Sequence, residues 1–181
     1  ALAPDGAPHI ESLDTRRFDA GGVARVPFGA SVLGARASAS RQAHEHRFGD
    51  APERDRHDSW FAEASLATTR GRHTTVLGAA LNVESYTGQD VPAIDYRYTI
   101  PAAFAQYDVD LGERLALSAS GRPDAHSEYG VFFNPRLSAR YRLTDSWTVR
   151  ASAGTGTFAP TPLTEETRGL NPVALRALER L

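Results

Sequence analysis

Alternation of apolar and polar residues is the feature that most limits how this chain folds. Between residues 131 and 143, apolar side chains occupy every second position and polar or charged side chains fill the gaps. Successive side chains of an extended strand point to opposite sides, so the pattern gives one apolar wall and one charged wall. The apolar wall carries Phe133, Pro135, Leu137, Ala139, Tyr141 and Leu143, and the charged wall carries Asn134, Arg136, Ser138, Arg140 and Arg142.

The same alternation recurs along the chain and predicts an all-β fold. Short polar turns at 70–73, 112–114 and 144–146 separate neighbouring segments, as in antiparallel hairpins. We expect an up-and-down meander of about eight strands that forms part of a transmembrane β-barrel. The expected strands are roughly 22–28, 31–47, 59–69, 74–86, 100–111, 115–121, 131–143 and 147–156.

The connections between these strands are expected to alternate in length. Longer, polar connections are predicted at 48–58, 87–99 and 121–130, opposite the short turns. Short turns on one side and long loops on the other are typical of an outer-membrane barrel, with the short turns in the periplasm. Aromatic residues near the strand ends suit the girdles at the lipid–water interfaces; they are Trp60, Phe61, Tyr96, Tyr98, Phe132, Phe133 and Trp147.

Composition excludes spanning helices but is compatible with spanning strands. Hydrophobic residues make up 41% of the chain, its mean hydropathy is −0.39, and no segment approaches the ~18 consecutive apolar residues that a transmembrane helix needs. A soluble β-sandwich or barrel that acts as a binding module would also alternate. We disfavour it because the polar faces carry several charges per strand and the apolar faces are rich in Ala, which packs a core poorly.

Other function classes lack their signatures. The net charge of −2 and the absence of a basic stripe argue against a nucleic-acid partner. The chain has no Cys, which excludes disulfides and cysteine-based zinc sites. No Ser–His–Asp, Cys–His or paired-carboxylate motif is present, so we expect neither an enzyme nor a cofactor.

Residues 134–167 read NPRLSARYRLTDSWTVRASAGTGTFAPTPLTEET. This segment closely resembles the barrel of TonB-dependent outer-membrane receptors, in which an Asn-Pro-Arg-Leu-Ser strand precedes a Thr-Val-Arg-Ala-Ser strand and a Gly-Thr-Gly-Phe-(Arg)-Ala-Pro ending. Here Thr157 stands in place of the aromatic residue, and Phe158 stands where Arg is often found. The resemblance covers about a fifth of the chain.

The resemblance implies a barrel of about 22 strands that imports a scarce nutrient, namely a ferric siderophore, haem or cobalamin, across the bacterial outer membrane. It also implies four partners: outer-membrane lipid, an N-terminal plug domain, the TonB complex acting through that plug, and the small nutrient chelate. No plug is recognisable in residues 1–181, which we interpret as an internal barrel segment. A passive porin or a structural barrel is the alternative. We expect the isolated segment to oligomerise, because an open sheet has unpaired edges.

Two regions are candidates for contact with a ligand or a plug. Arg136, Arg140 and Arg142, with Arg150 on the next strand, form a basic stripe that would attract an anionic chelate or acidic plug groups. The second region, 157–181, follows the last strand and is predicted to be a loop, because its prolines cannot continue the ladder. A short C-terminal helix is expected within it from Asn171. Its candidate contact residues are Phe158, Pro160, Glu165 and Glu166.

His44 and His46 are weak candidates for metal ligands. They lie two apart and therefore share one strand face, from which two imidazoles could reach one ion. The alternative is a solvated rim with incidental histidines, and we favour that interpretation.

Overall fold

A computed structural model describes residues 11–48, 51–90 and 92–161, which form one antiparallel sheet of eight strands in chain order. The expected all-β meander is therefore confirmed. Within the described residues the sheet does not close, and β1 and β8 are its edges. No helix in those three ranges has the length and hydropathy needed to cross a membrane. The strands are β1 (Glu11–Phe28), β2 (Ser31–Phe48), β3 (Ala51–Arg70), β4 (His73–Gly88), β5 (Tyr96–Leu111), β6 (Leu115–His126), β7 (Gly130–Arg142) and β8 (Thr148–Gly154).

Several strands are longer than the sequence predicted, and the long connections expected at 48–58 and 121–130 are wrong. Phe48 pairs with Ala51, so β2 and β3 stay paired through the region expected to be a loop. Only Ser127–Tyr129 separates β6 from β7. The connection between β4 and β5 is longer and includes a 3-10 turn at Pro92–Ile94. The charged residues of 51–58 suggested a loop. They form a strand because the hydrogen bonds between strands are made by the backbone, and polar side chains on both faces do not disturb them where both faces are in polar surroundings.

Proline does not end β6. The register between β5 and β6 passes from Ala105 opposite Gly121 to Ala102 opposite Asp124, with no ladder pair between them. This gap contains Pro123, which has no N–H to donate. On its other side β6 pairs without interruption with β7, including Pro123 opposite Phe133. β6 therefore continues past Pro123 because its pairing with β7 is unbroken there.

Tight turns define one end of the sheet, which we call the lower end. It contains Gly29–Ala30, Gly71–Arg72, Gly112–Arg114 and the turn 143–147, so the short turns expected from the sequence are present. Gly29 and Gly71 have φ of 55° and 58° at the first position of two-residue hairpins. Glycine adopts this conformation readily because it lacks a Cβ. The opposite end, with the 3-10 turn, is the upper end.

The two faces of the sheet differ in chemistry and in exposure. One face, which we call the outer face, carries an apolar band without a charged residue, for example Ala62, Leu81 and Leu137. Leu81 is 42% exposed and Leu137 is 65% exposed. On the other, inner face, Tyr86 and Tyr98 are each only 7% exposed. Crowding on one face and exposure of apolar groups on the other show that the sheet curves around its inner face, as a barrel wall does.

The apolar band has the height of a bilayer core. On β5 it runs from Pro101 to Leu111, about 33 Å along the strand at ~3.3 Å per residue. A strand tilt of about 40° reduces this to about 25 Å along the membrane normal, the height of the lipid-facing band in outer-membrane barrels.

The predicted aromatic girdles are only partly present. Trp60 and Phe133 do lie on the outer face and are 58% and 62% exposed, and Trp147 is 71% exposed in the lower-end turn 143–147. The expectation is wrong for the other four residues, because their register places them on the inner face. These inward-facing residues are Phe61, Tyr96, Tyr98 and Phe132.

Candidate functional site

The four arginines predicted to form a stripe lie together on the lower half of the inner face, and we call them the basic group. Arg140 is directly opposite Arg150 across β7 and β8, and Arg142 is opposite Thr148. Arg136 lies opposite Gly154 on the same face. The tight turn 143–147 fixes this arrangement, since it sets the register of the hairpin.

The basic group is poorly neutralised by the rest of the sheet. Arg140 Nη2 lies 3.7 Å from Asp110 Oδ1, and both side chains are more than half exposed, so this ion pair contributes little. Arg142 Nη2 donates a hydrogen bond to the backbone oxygen of Glu113 at 2.7 Å. Among the described residues Arg136 and Arg150 make no ion pair. Because like charges directly opposite each other repel, this surface favours an acidic group from elsewhere.

A groove of about 390 Å³ runs along the basic group. Arg136, Arg140 and Arg150 line one side, and Asp108 and Asp110 line the other. Sequence reasoning did not join these aspartates to the arginines, since they lie on different hairpins. The groove can hold a small anion or an acidic stretch of chain.

The upper half of the inner face carries a cluster that the sequence did not predict, which we call the aromatic group. Tyr96 and Tyr98 have ring centroids 4.7 Å apart, and Tyr98 lies 4.7 Å from the His126 ring. His126 lies 4.8 Å from Tyr129, and Tyr86 stacks on Tyr96 at 6.0 Å. Tyr86 lies directly opposite Tyr96, which only a known strand register would have revealed.

A carboxylate anchors one side of the aromatic group. The Tyr96 hydroxyl donates a hydrogen bond to Glu84 Oε1 at 2.8 Å, and His57 Nε2 lies 2.9 Å from the same oxygen. Tyr86 and Tyr96 lie above the apolar band, where the outer face already carries Arg56 and Asp58. Burial raises the pKa of the Tyr86 and Tyr96 phenols, so both keep their proton as hydrogen-bond donors.

His126 supplies an unused donor within the aromatic group. The residue is 6% exposed, and its Nδ1 accepts hydrogen bonds from the backbone N–H groups of Glu128 at 3.1 Å and Tyr129 at 3.4 Å. The proton of the neutral ring is therefore on Nε2. That atom is buried and has no hydrogen-bond partner among the described residues, which is rare in folded proteins.

The two histidines considered as metal ligands make side-chain hydrogen bonds, both within β2 and to neighbouring strands. His44 Nδ1 donates to Asp55 Oδ1 at 2.8 Å, and His44 Nε2 accepts from the Gln42 amide at 2.7 Å. His46 Nε2 lies 2.8 Å from Glu11 Oε1. In the part of the chain that the structure describes, no cluster of three or more His, Cys, Asp or Glu residues could hold a metal ion.

The segment after β8 leads from the basic group toward the aromatic group. Thr157 Oγ1 donates to Asn134 Oδ1 at 3.1 Å, and the Pro160 carbonyl accepts from the Tyr129 hydroxyl at 3.0 Å. Pro160 therefore lies beside the aromatic group, whereas Phe158 is 88% exposed and unpacked. Glu165, Glu166 and the predicted C-terminal helix lie outside the described residues.

Comparison with known proteins assigns the family. The model of the TonB dependent receptor-like β-barrel matches residues 12–171. The iron-regulated outer membrane virulence protein of Vibrio cholerae serotype O1, from the classical Ogawa and the El Tor Inaba strains, is 29% identical over 107 residues. The match covers 57% of this chain and 16% of the relative. The chain thus spans about a sixth of the length of these curated relatives.

A solved structure shares the fold. The siderophore receptor PirA from Pseudomonas aeruginosa superposes with a TM-score of 0.56 and 19% sequence identity, over 81% of this chain and 36% of that chain. The family consists of outer-membrane transporters and not of enzymes. The match at 12–171 extends far beyond the motif at 134–167, and the expectation drawn from that motif is confirmed. This chain belongs to the TonB-dependent receptor family and forms part of its β-barrel in the bacterial outer membrane.

Proposed function

We propose that this segment is part of the wall of an energised importer that takes an iron chelate of the siderophore class across the outer membrane. The aromatic group is the observation that carries the proposal. It combines stacked rings with a buried imidazole N–H that has no hydrogen-bond partner among the described residues, which suits a ligand with flat, oxygen-bearing groups. Two of the similar proteins, an iron-regulated outer membrane virulence protein and a siderophore receptor, favour this class over haem and cobalamin.

The upper end is proposed to face the outside of the cell. The connection between β4 and β5 is at that end, and beyond Trp60 the strand β3 carries charged residues on both faces. Extracellular ends of outer-membrane barrels project into water in this way, whereas periplasmic turns are short. This orientation places the aromatic group near the outer mouth of the lumen and the basic group near the periplasm.

The basic group is proposed to hold a plug domain. Arg136 and Arg150 have no ion pair among the described residues, and the groove beside them is open to the lumen. Acidic groups on a plug would relieve the repulsion between Arg140 and Arg150. The TonB complex would then act on the plug while this wall stays fixed. The unpaired edges of β1 and β8 remain the reason to expect that the isolated segment oligomerises.

Uptake by the full-length receptor tests this function. The receptor would be expressed in a bacterial host that lacks its own siderophore receptors, and the uptake of radiolabelled ferric siderophores, haem and cobalamin would be measured. We expect uptake of at least one ferric siderophore, and we expect it to fall to the receptor-free level when TonB is removed. Uptake that persists without TonB would indicate a passive pore. Uptake of haem or cobalamin alone would overturn the siderophore class while leaving energised import intact.

A further inference from the structure

A pair of arginines shares one buried carboxylate on the outer face, just above the apolar band. Arg41 Nε lies 2.6 Å from Asp58 Oδ1, and Arg56 Nε lies 2.9 Å from Asp58 Oδ2. Asp58 is 8% exposed although it is on the outer face, because the two arginine side chains cover it. The arginine side chains themselves are 59% and 46% exposed. One carboxylate therefore holds two guanidinium groups side by side, each with its far end accessible.

The surroundings of this pair are also basic. Arg97 follows on the same row of the outer face, because Ser85 pairs with both Asp58 and Arg97. Arg16 faces outward on β1, opposite Ala43, which in turn pairs with Arg56. Neither Arg16 nor Arg97 makes an ion pair among the described residues. Arg16 and Arg97 thus flank the pair on neighbouring strands of this face. The same face also carries Asp14 opposite Glu45, and Glu45 is ion-paired with Arg47.

The height of this site on the wall matches the lipid headgroups. Asp58 is two residues beyond Trp60 on the same face of β3, about 7 Å further along the strand. A strand tilt of about 40° reduces this to about 5 Å along the membrane normal. Trp60 marks the edge of the apolar band, since tryptophan favours the interface. The headgroup layer extends about 6 Å beyond the hydrocarbon core on each side, so the guanidinium groups lie within it.

We propose that Arg41 and Arg56, supported by Arg16 and Arg97, form a binding site for the phosphate groups of the lipid A glycolipid in the outer leaflet. Guanidinium groups bind phosphate through paired hydrogen bonds, and the carboxylate of Asp58 pre-orients two of them. The partner is a lipid because the site faces away from the lumen and continues directly into the apolar band. The proposal rests on the outer-membrane location and on the proposed orientation, in which the upper end faces outside the cell, and not on the transported nutrient.

The test measures binding of fluorescent bisphosphorylated lipid A to the full-length receptor in dodecyl maltoside micelles. The variant combines Arg41→Gln and Arg56→Gln with Asp58→Asn, so that no buried carboxylate is left unpaired. We expect its affinity to fall about 25-fold, because each arginine in a headgroup layer contributes a factor of about five. Binding of lipid A without phosphate should stay within about twofold of the parent receptor.

A matched control makes the same change of charge on the inner face of β1 to β3. Arg17→Gln, Arg36→Gln and Glu63→Gln also remove two arginines and one carboxylate, and lipid A affinity should stay within about twofold. Equal loss in the two triple variants, or equal loss for lipid A with and without phosphate, would overturn the site. Inorganic phosphate that displaced lipid A at equal concentration would show a free anion site and would contradict the lipid assignment.

A second variant covers the case in which the first does not fold. Arg16→Gln with Arg97→Gln leaves both ion pairs of Asp58 in place and should still weaken binding of bisphosphorylated lipid A by about fivefold or more. If this double variant binds as the parent receptor does, the proposed contribution of the surrounding arginines is wrong.

Discussion

Ala105→Arg is expected to remove most of the folded receptor from the outer membrane, whereas Gln106→Arg should leave its amount nearly unchanged. Ala105 faces outward near the centre of the apolar band on β5, and Gln106 is its neighbour on the inner face. An arginine that faces lipid near the midplane of a barrel costs about 2–4 kcal/mol. At position 106 the new side chain lies in the wet lumen beside Asp108, which Gln106 already contacts at 2.8 Å.

The measurement is the amount of full-length receptor with heat-modifiable gel mobility in isolated outer membranes, followed by urea unfolding in lipid vesicles. The two variants have the same charge and differ by one position, so expression and net charge are matched. Equal loss of the two variants, or a larger loss for Gln106→Arg, would show that the outer face does not contact lipid.

Tyr98→Ala is expected to weaken both the fold of the upper wall and the binding of the proposed iron chelate. Tyr98 is 7% exposed, and its ring centroid lies 4.7 Å from that of Tyr96 and 4.7 Å from that of His126. Removing a buried aromatic side chain costs about 3 kcal/mol. It would also open the space beside His126 Nε2, which lacks a hydrogen-bond partner in the described part of the chain. We expect the affinity for the imported ferric siderophore to fall by about tenfold or more, as for a central aromatic contact.

Tyr107→Ala is the control for this prediction, because Tyr107 is on the same strand but faces outward and is 45% exposed. Its effect on chelate affinity should be within about twofold. Tyr98→Phe keeps the ring and should retain most of the stability. Thermal unfolding and a binding titration on the full-length receptor separate the two effects. Unchanged chelate affinity in Tyr98→Ala would remove the aromatic group from the proposed ligand site.

Which side chains share a face of a strand was predictable, because alternate residues of one strand point to the same side. Period-two alternation at 131–143 and 103–111 determines which side chains share a face, and no knowledge of neighbouring strands is needed. The basic group was predictable for a related reason. Its four arginines lie on one hairpin, and the tight turn 143–147 fixes how Arg140 meets Arg150.

The aromatic group and the strand ends were not predictable because they depend on interactions between distant parts of the chain. Tyr86 meets Tyr96 only when the connection between β4 and β5 has its observed length. His126 reaches Tyr98 because β6 continues past Pro123, which the sequence indicated as a loop. In both places hydrogen bonds to a neighbouring strand decided the outcome, and local residue preferences did not.

Site-directed spin labelling of β5 tests most directly that this sheet separates lipid from a wet lumen. Single Cys residues, absent from this segment, would be placed one at a time at positions 102–110 of the full-length receptor in lipid vesicles. Collision rates would then be measured with oxygen, which concentrates in lipid, and with a water-soluble nickel chelate. We expect oxygen maxima at 103, 105, 107 and 109 and nickel maxima at 102, 104, 106, 108 and 110. Maxima of both reagents at the same positions, or no period of two, would contradict a wall with one face in lipid and one in water.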